Sequence, residues 1–186
     1  MTILQHQSLI AQLSQLDRHV DSLKFFSTPT PSFPSSSSTL LAVGSSRLTG
    51  QVWDGSLDIF DVSPVVRKRE EKKERLEDCF ASPLGSVQIP CGISSISWFP
   101  SSSSSSPPSL LTSGDDGVVR MWYLEKLETL EARAEGREGE SEGDGDGRIL
   151  IEVRHFNEHD DLVIGVEANP LEHSSPRFLT ASWDST

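Results

Sequence analysis

Short apolar runs alternate with long polar stretches along this chain, and the runs have the dimensions of strands. Seven carry the pattern: Leu40–Gly44, Ile93–Trp98, Leu110–Gly114, Val118–Leu124, Ile149–Val153, Leu162–Val166 and Phe178–Ser182. Each is a few residues long, β-branched or aromatic in part, and bounded by Gly, Pro, Ser or Asp. A helical spacing is visible only at Leu9, Leu13, Leu16 and Val20, so residues 1–26 are expected to form an N-terminal segment, a short helix or strand. The stretches between the runs are of two kinds. Pro31–Ser38, Pro100–Ser109 and His173–Pro176 are rich in Ser and Pro, which favours solvated loops. Residues 67–78 and 125–148 are charged and low in complexity; the second could open as a short helix at Glu125–Ala134. Inserts at 65–82 and 126–148 have too little apolar surface to fold and are expected to be disordered.

With the inserts set aside, the runs repeat. SSSSSSPPSLLTSGDDGVV aligns with HSSPRFLTASWDST at Ser113/Ala181, Gly114/Ser182, Asp116/Asp184 and Gly117/Ser185, and Gly44 precedes Gly114 by a similar interval. A period near 70, less an insert of roughly 20, leaves about 50, close to the about 40–45 residues of a four-stranded propeller blade. The stretch SLLTSGDDGVVRMWYL resembles the end of a WD repeat, with a tight turn at Asp116 and a strand closing on Trp122, where Tyr123 replaces the usual Asp. His159 sits where such repeats place a structural histidine, and Asp184 repeats the turn aspartate. In that family these two join a buried hydrogen-bond network, in which an unpaired polar group is costly. The expected fold is therefore all-β: a partial WD-repeat β-propeller with blades at about 22–62, 86–124 and 149–186. Closing seven blades takes nearly 300 residues, so the chain is expected to hold about two and a half of them. It reads as a fragment with open strand edges.

Charge and chemistry narrow the function. Acidic residues number 28 against 16 Lys+Arg, for a net −12, and the hydrophobic share is 35%. The charged segments carry +1 and −5, which leaves −8 on the body. An acidic body argues against gripping nucleic-acid phosphates. No apolar run approaches the roughly 20 residues of a membrane helix, and MTILQHQSLIAQL has no signal-peptide pattern. Cys79 and Cys91 are too few for a disulfide framework and read as reduced thiols. A cytoplasmic and nuclear protein is expected. Asp144 and Asp146 in GDGDG suggest a calcium loop, but Arg148 and His155 occupy ligand positions, so the loop fails. His159-Asp160-Asp161 is better read as a structural histidine with turn acids than as a metal or acid/base cluster. There is no G-x-S-x-G, H-E-x-x-H, C-x-x-C or phosphate-cradling loop. The expectation is no catalytic residue, no cofactor and no metal.

Trp53 admits two registers. Gln51-Val52-Trp53-Asp54 can be the closing strand of the first unit, although Gly50 disfavours a strand interior. Alternatively that strand is Ser56–Val62, with Phe60-Asp61 mimicking Trp-Asp and an enlarged turn carrying Trp53 outward. Three stretches, LLAVGSSRLTGQVWDGSLDIFDV, GVVRMWYLE and NEHDDLV, together resemble the WD-repeat subunits of the methylosome, the propeller partners of the type II (symmetric) protein arginine methyltransferase. The likeness covers roughly residues 38–186 without the inserts, and departs in the Ser runs, the charged inserts and the early end. It implies that Trp53, with Leu48 and Gln51 beside it, lies on an extended first-blade loop and inserts into the methyltransferase, which favours the second register. It further implies a non-catalytic adaptor presenting basic, Arg-rich substrates such as histones and Sm proteins. The alternative is a generic WD-repeat scaffold of a ubiquitin-ligase or trafficking assembly.

Overall fold

The computed structural model describes residues 18–27, 39–49, 52–62, 83–99, 108–126, 148–169 and 177–185. These form ten β-strands and no helix: β1 His19–Ser27, β2 Thr39–Thr49, β3 Val52–Asp61, β4 Gly85–Ile89, β5 Ile93–Trp98, β6 Ser109–Gly114, β7 Val119–Lys126, β8 Arg148–Phe156, β9 Val163–Ala168 and β10 Phe178–Ser182. All seven apolar runs coincide with strands. Val20, the last position of the helical spacing, lies in β1; Leu9, Leu13 and Leu16 fall outside the described residues, as do Cys79, Asp144 and Asp146.

The strands make three antiparallel sheets with sequential neighbours, β1-β2-β3-β4, β5-β6-β7-β8 and β9-β10. This all-β arrangement is compatible with a partial β-propeller. Its chain order explains where the interruptions sit. Each Ser/Pro run joins the first strand of a sheet to the second, and each charged segment joins the third to the fourth. Long polar insertions are tolerated where a connection runs over the surface. The ladders also correct the unit boundaries. Ends expected at 62 and 124 assign β4 and β8 to the following units, whereas hydrogen bonding places β4 on β3 and β8 on β7. The intervening charged segments hid that link, because nothing local joins a strand to one some twenty residues away.

Packing between sheets is layered. Leu40, Ala42, Leu57 and Ile59 of the first sheet meet Ile96, Trp98, Leu110, Trp122 and Leu124 of the second. Beyond the second sheet, Leu111 and Val119 meet Val163, Val166 and Ala168 of β9. The first strands of the three sheets are in contact, β1 with β5 and β5 with β9. Phe26 stacks on Trp98 with centroids 5.0 Å apart, while Trp98 Nε1 donates to Lys24 O at 3.1 Å. On the other side of β5, Ser97 Oγ accepts from Ala168 N at 3.0 Å, and Ser94 Oγ donates to Val163 O. Hydroxyls thus satisfy backbone groups of the adjoining sheet, where a purely apolar face would leave them unpaired. That is how a chain of modest hydrophobic content closes its inter-sheet layers.

Candidate functional site

Two places in the fold concentrate chemistry: the turn networks of the second and third sheets, and the tip of the β2–β3 hairpin.

In the third sheet His159, from the loop before β9, reaches Asp184 in the turn after β10 (Nδ1 to Oδ2, 2.9 Å) and Thr180 on β10 (Nε2 to Oγ1, 2.8 Å). The carboxylate can only accept, so in the neutral ring the proton sits on Nδ1, and Nε2 accepts from the Thr180 hydroxyl. Asp184 Oδ2 also takes the Asp160 amide at 3.0 Å. His159 and Asp184, expected as structural repeat positions, are therefore brought together. In the second sheet the corresponding residues lie 68 positions earlier, at Cys91, Thr112 and Asp116. Trp122 Nε1 donates to Thr112 Oγ1 at 2.9 Å, both side chains being buried. Cys91 holds the place of the histidine. Without an imidazole to pair with, Asp116 bonds to Arg120, Nη2 to Oδ2 at 2.5 Å. Burial alone pushes the Asp116 carboxyl up, but the hydrogen bonds and charge of Arg120 outweigh it and hold it below the ordinary range. The Cys91 thiol is pushed up to about 12, by burial first and then by the charge of Asp116. At that value it stays protonated near neutral pH, the poorly nucleophilic form of a thiol. The turn Asp115-Asp116-Gly117 requires its glycine. Gly117 has φ 78°, and a Cβ there would stand 2.8 Å from His159 O. Thr112, Thr180 and Cys91 were missed as network members, although the 68-residue spacing carries all three.

The hairpin resolves the two registers. β2 and β3 pair continuously from Leu40↔Asp61 to Thr49↔Val52, so the segment from Ser56 to Asp61 pairs with the body of β2 and Trp53 lies out at the tip, opposite Leu48. The tip is an extended two-stranded ribbon continuous with the sheet. Cross-strand partners share a face, and Trp53 (46% exposed) and Leu48 (54%) form one apolar patch. The next pair, Arg47 and Asp54, points the other way. There Arg18 Nη2 bonds to Asp54 Oδ2 at 2.9 Å and to Gln88 Oε1 at 2.8 Å, and Arg18 Nη1 bonds to Asp54 O at 2.8 Å. Arg47 lies 3.6 Å from the same carboxylate. One residue on, Gly55 packs so closely under the β4–β5 connection that a Cβ would stand 1.9 Å from Cys91 O. The backbone beneath Trp53 is thus held by a guanidinium on one face and a close chain crossing on the other. Gln51 lies outside the described residues.

Beside Trp53, where the first two sheets meet, an open depression of about 260 Å³ is lined by Asp21, Ser46, Gly92, Ile93 and Asp115 as well as the indole. Among the described residues no three His, Cys, Asp or Glu side chains converge as a metal site, and no helix is long and apolar enough to cross a membrane. In comparisons with known proteins, the sequence matches no protein-family model and no curated protein.

Proposed function

We propose that this chain is a WD-repeat propeller segment that acts as a non-catalytic adaptor. It docks a type II protein arginine methyltransferase through Trp53 and presents basic, Arg-rich substrates such as histone and Sm-protein tails. The observation that carries the reading is the Trp53–Leu48 patch at the tip of a clamped hairpin. A large aromatic exposed on a rigid support loses little conformational freedom on binding, and that is the form interface hot spots take. The His159–Thr180–Asp184 and Trp122–Thr112 bonds support the WD-repeat part, since such repeats build a His–Asp network at their turns. The acidic body favours encounter with basic tails by steering.

Affinity capture on the immobilised chain tests the reading. Recovery of a symmetric arginine methyltransferase from a cell extract is the expected result. Recovery of a cullin adaptor or a coat component instead, with no methyltransferase, overturns it in favour of a generic scaffold.

A further inference from the structure

Among the described residues the third sheet has two strands where the first and second have four. One edge of β10 is therefore open, at the place where β6 carries β7. The ends of the β9–β10 ladder fix which backbone groups face that edge. Arg177 O accepts from Asn169 N, and Trp183 N donates to Leu162 O, so Arg177, Leu179, Ala181 and Trp183 bond towards β9. Groups alternate along an antiparallel strand. The N–H of Phe178, Thr180 and Ser182 and the carbonyls of Phe178 and Thr180 thus point outward. Ser182 O instead accepts from Ser185 N in the turn.

The second sheet shows what such an edge takes. There Leu110 and Thr112, 68 positions before Phe178 and Thr180, pair with Trp122 and Arg120 of β7. The Trp122 indole donates to Thr112 Oγ1, and Arg120 reaches the turn carboxylate of Asp116. The third sheet keeps both acceptors. Thr180 gives its proton to His159 Nε2, and a hydroxyl oxygen so engaged can still accept from an indole. The adjoining turn gathers Asp160, Asp161 and Asp184 through the Asp160 N–Asp184 and Ser182 Oγ–Asp161 O bonds. That acidic end is complementary in charge to a basic residue opposite Thr180. Met121 packs towards the third sheet, and alternation puts Tyr123 on the same face, with Ile151 and Ile149 beside it on β8. The second sheet thereby offers an apolar floor next to the open edge.

We infer that the open edge of β10 receives an extended strand of a protein partner with the pattern basic-x-Trp. The tryptophan lies opposite Phe178 and donates to Thr180 Oγ1; the basic residue lies opposite Thr180 and faces the turn carboxylates. Strand addition takes its affinity from main-chain bonds and its selectivity from alternate side chains. The β10 of a second copy is not the occupant. Antiparallel pairing of two such edges puts both second sheets on one side of the joined sheet, where β7 and β8 of one copy overlap the other. This edge belongs to the third sheet and the Trp53 hairpin to the first, so strand addition neither requires nor excludes the methyltransferase.

The test is an NMR titration of the isotope-labelled full chain with the blocked peptide Gly-Val-Val-Arg-Met-Trp-Tyr-Leu-Glu, the sequence of residues 117–125. Saturable shifts of the Phe178, Thr180 and Ser182 amides are expected, with slowed solvent exchange at Thr180. In the second sheet Leu124 N donates to Pro108 O, so the alternate amides of Trp122 and Arg120 also face β6. A peptide N-methylated at its Arg and Trp amides keeps every side chain but loses those donors, and should bind about tenfold or more weakly. Phe in place of the peptide's Trp should weaken binding about fivefold, and Gln in place of its Arg about threefold. Every comparison uses the unaltered protein. No saturable shift at β10, shifts confined to β6, or equal binding of any altered peptide overturns the inference. Capture of the methyltransferase without strand addition removes this inference alone, and strand addition without capture removes the methyltransferase reading alone.

Discussion

Replacing Trp122 with alanine is expected to lower the stability of the chain by about 3–5 kcal/mol, the usual cost of truncating a buried tryptophan. Trp122 is 3% exposed and packs in the layer between the first and second sheets. Its removal empties space against Leu110 and Leu124 and strips Thr112 Oγ1 of its indole partner. Urea unfolding read by far-ultraviolet circular dichroism measures the loss. Trp122→Phe weighs the two contributions differently, because it keeps most of the buried ring volume while deleting the hydrogen bond. That variant should lose about 1–2 kcal/mol. Equal losses for both variants would show that the layer is held by the hydrogen bond and not by ring volume. Since domains are stable by only about 5–15 kcal/mol, the alanine variant should approach the unfolding threshold.

The second large effect is expected at Gly55. Its missing side chain is what lets the β4–β5 connection cross the base of the hairpin, with Cys91 O at 1.9 Å from a notional Cβ. A backbone carbonyl cannot step aside as a flexible side chain can, so Gly55→Ala must displace the connection, the hairpin or both. The expected cost is about 3 kcal/mol, at the upper end of overpacking. It should be accompanied by disturbed amide resonances at Cys91 and Gly92 and at the Trp53 tip. A neutral Gly55→Ala, with unchanged resonances, would contradict the close crossing.

What was legible in the sequence depended on local pattern. Runs such as Ile93–Trp98 and Phe178–Ser182 announced themselves through β-branched and aromatic residues between turn formers, and they are strands. The repeat spacing led to Asp116 and Asp184, because like residues recur at like intervals, and the resemblance to a WD repeat pointed to His159. β1 was half legible: four apolar residues at helical spacing left the N-terminal segment open between helix and strand, and Val20 belongs to a strand. β4 was not legible. Gly85–Ile89 is five residues long with few apolar positions, and its partner β3 lies beyond a charged insert. The network members Thr112 and Thr180 were within reach, since both fall one position before the aligned pairs. Cys91 was harder: a thiol standing where the next repeat has a histidine shares no chemistry that a pattern search would seek. The clamp beneath Trp53 was out of reach altogether. Arg18, Asp54 and Gln88 meet only because β1 and β4 flank the hairpin on separate strands, and no spacing in one sequence signals such a meeting.

The central claim is that Trp53 is the docking anchor, and calorimetric titration of a purified type II arginine methyltransferase tests it directly. The unaltered chain is expected to bind. The Trp53→Ala chain, with an unchanged circular-dichroism spectrum, is expected to lose about 2–4 kcal/mol, roughly 30- to 1,000-fold in affinity. Equal affinity of the two chains would contradict the account.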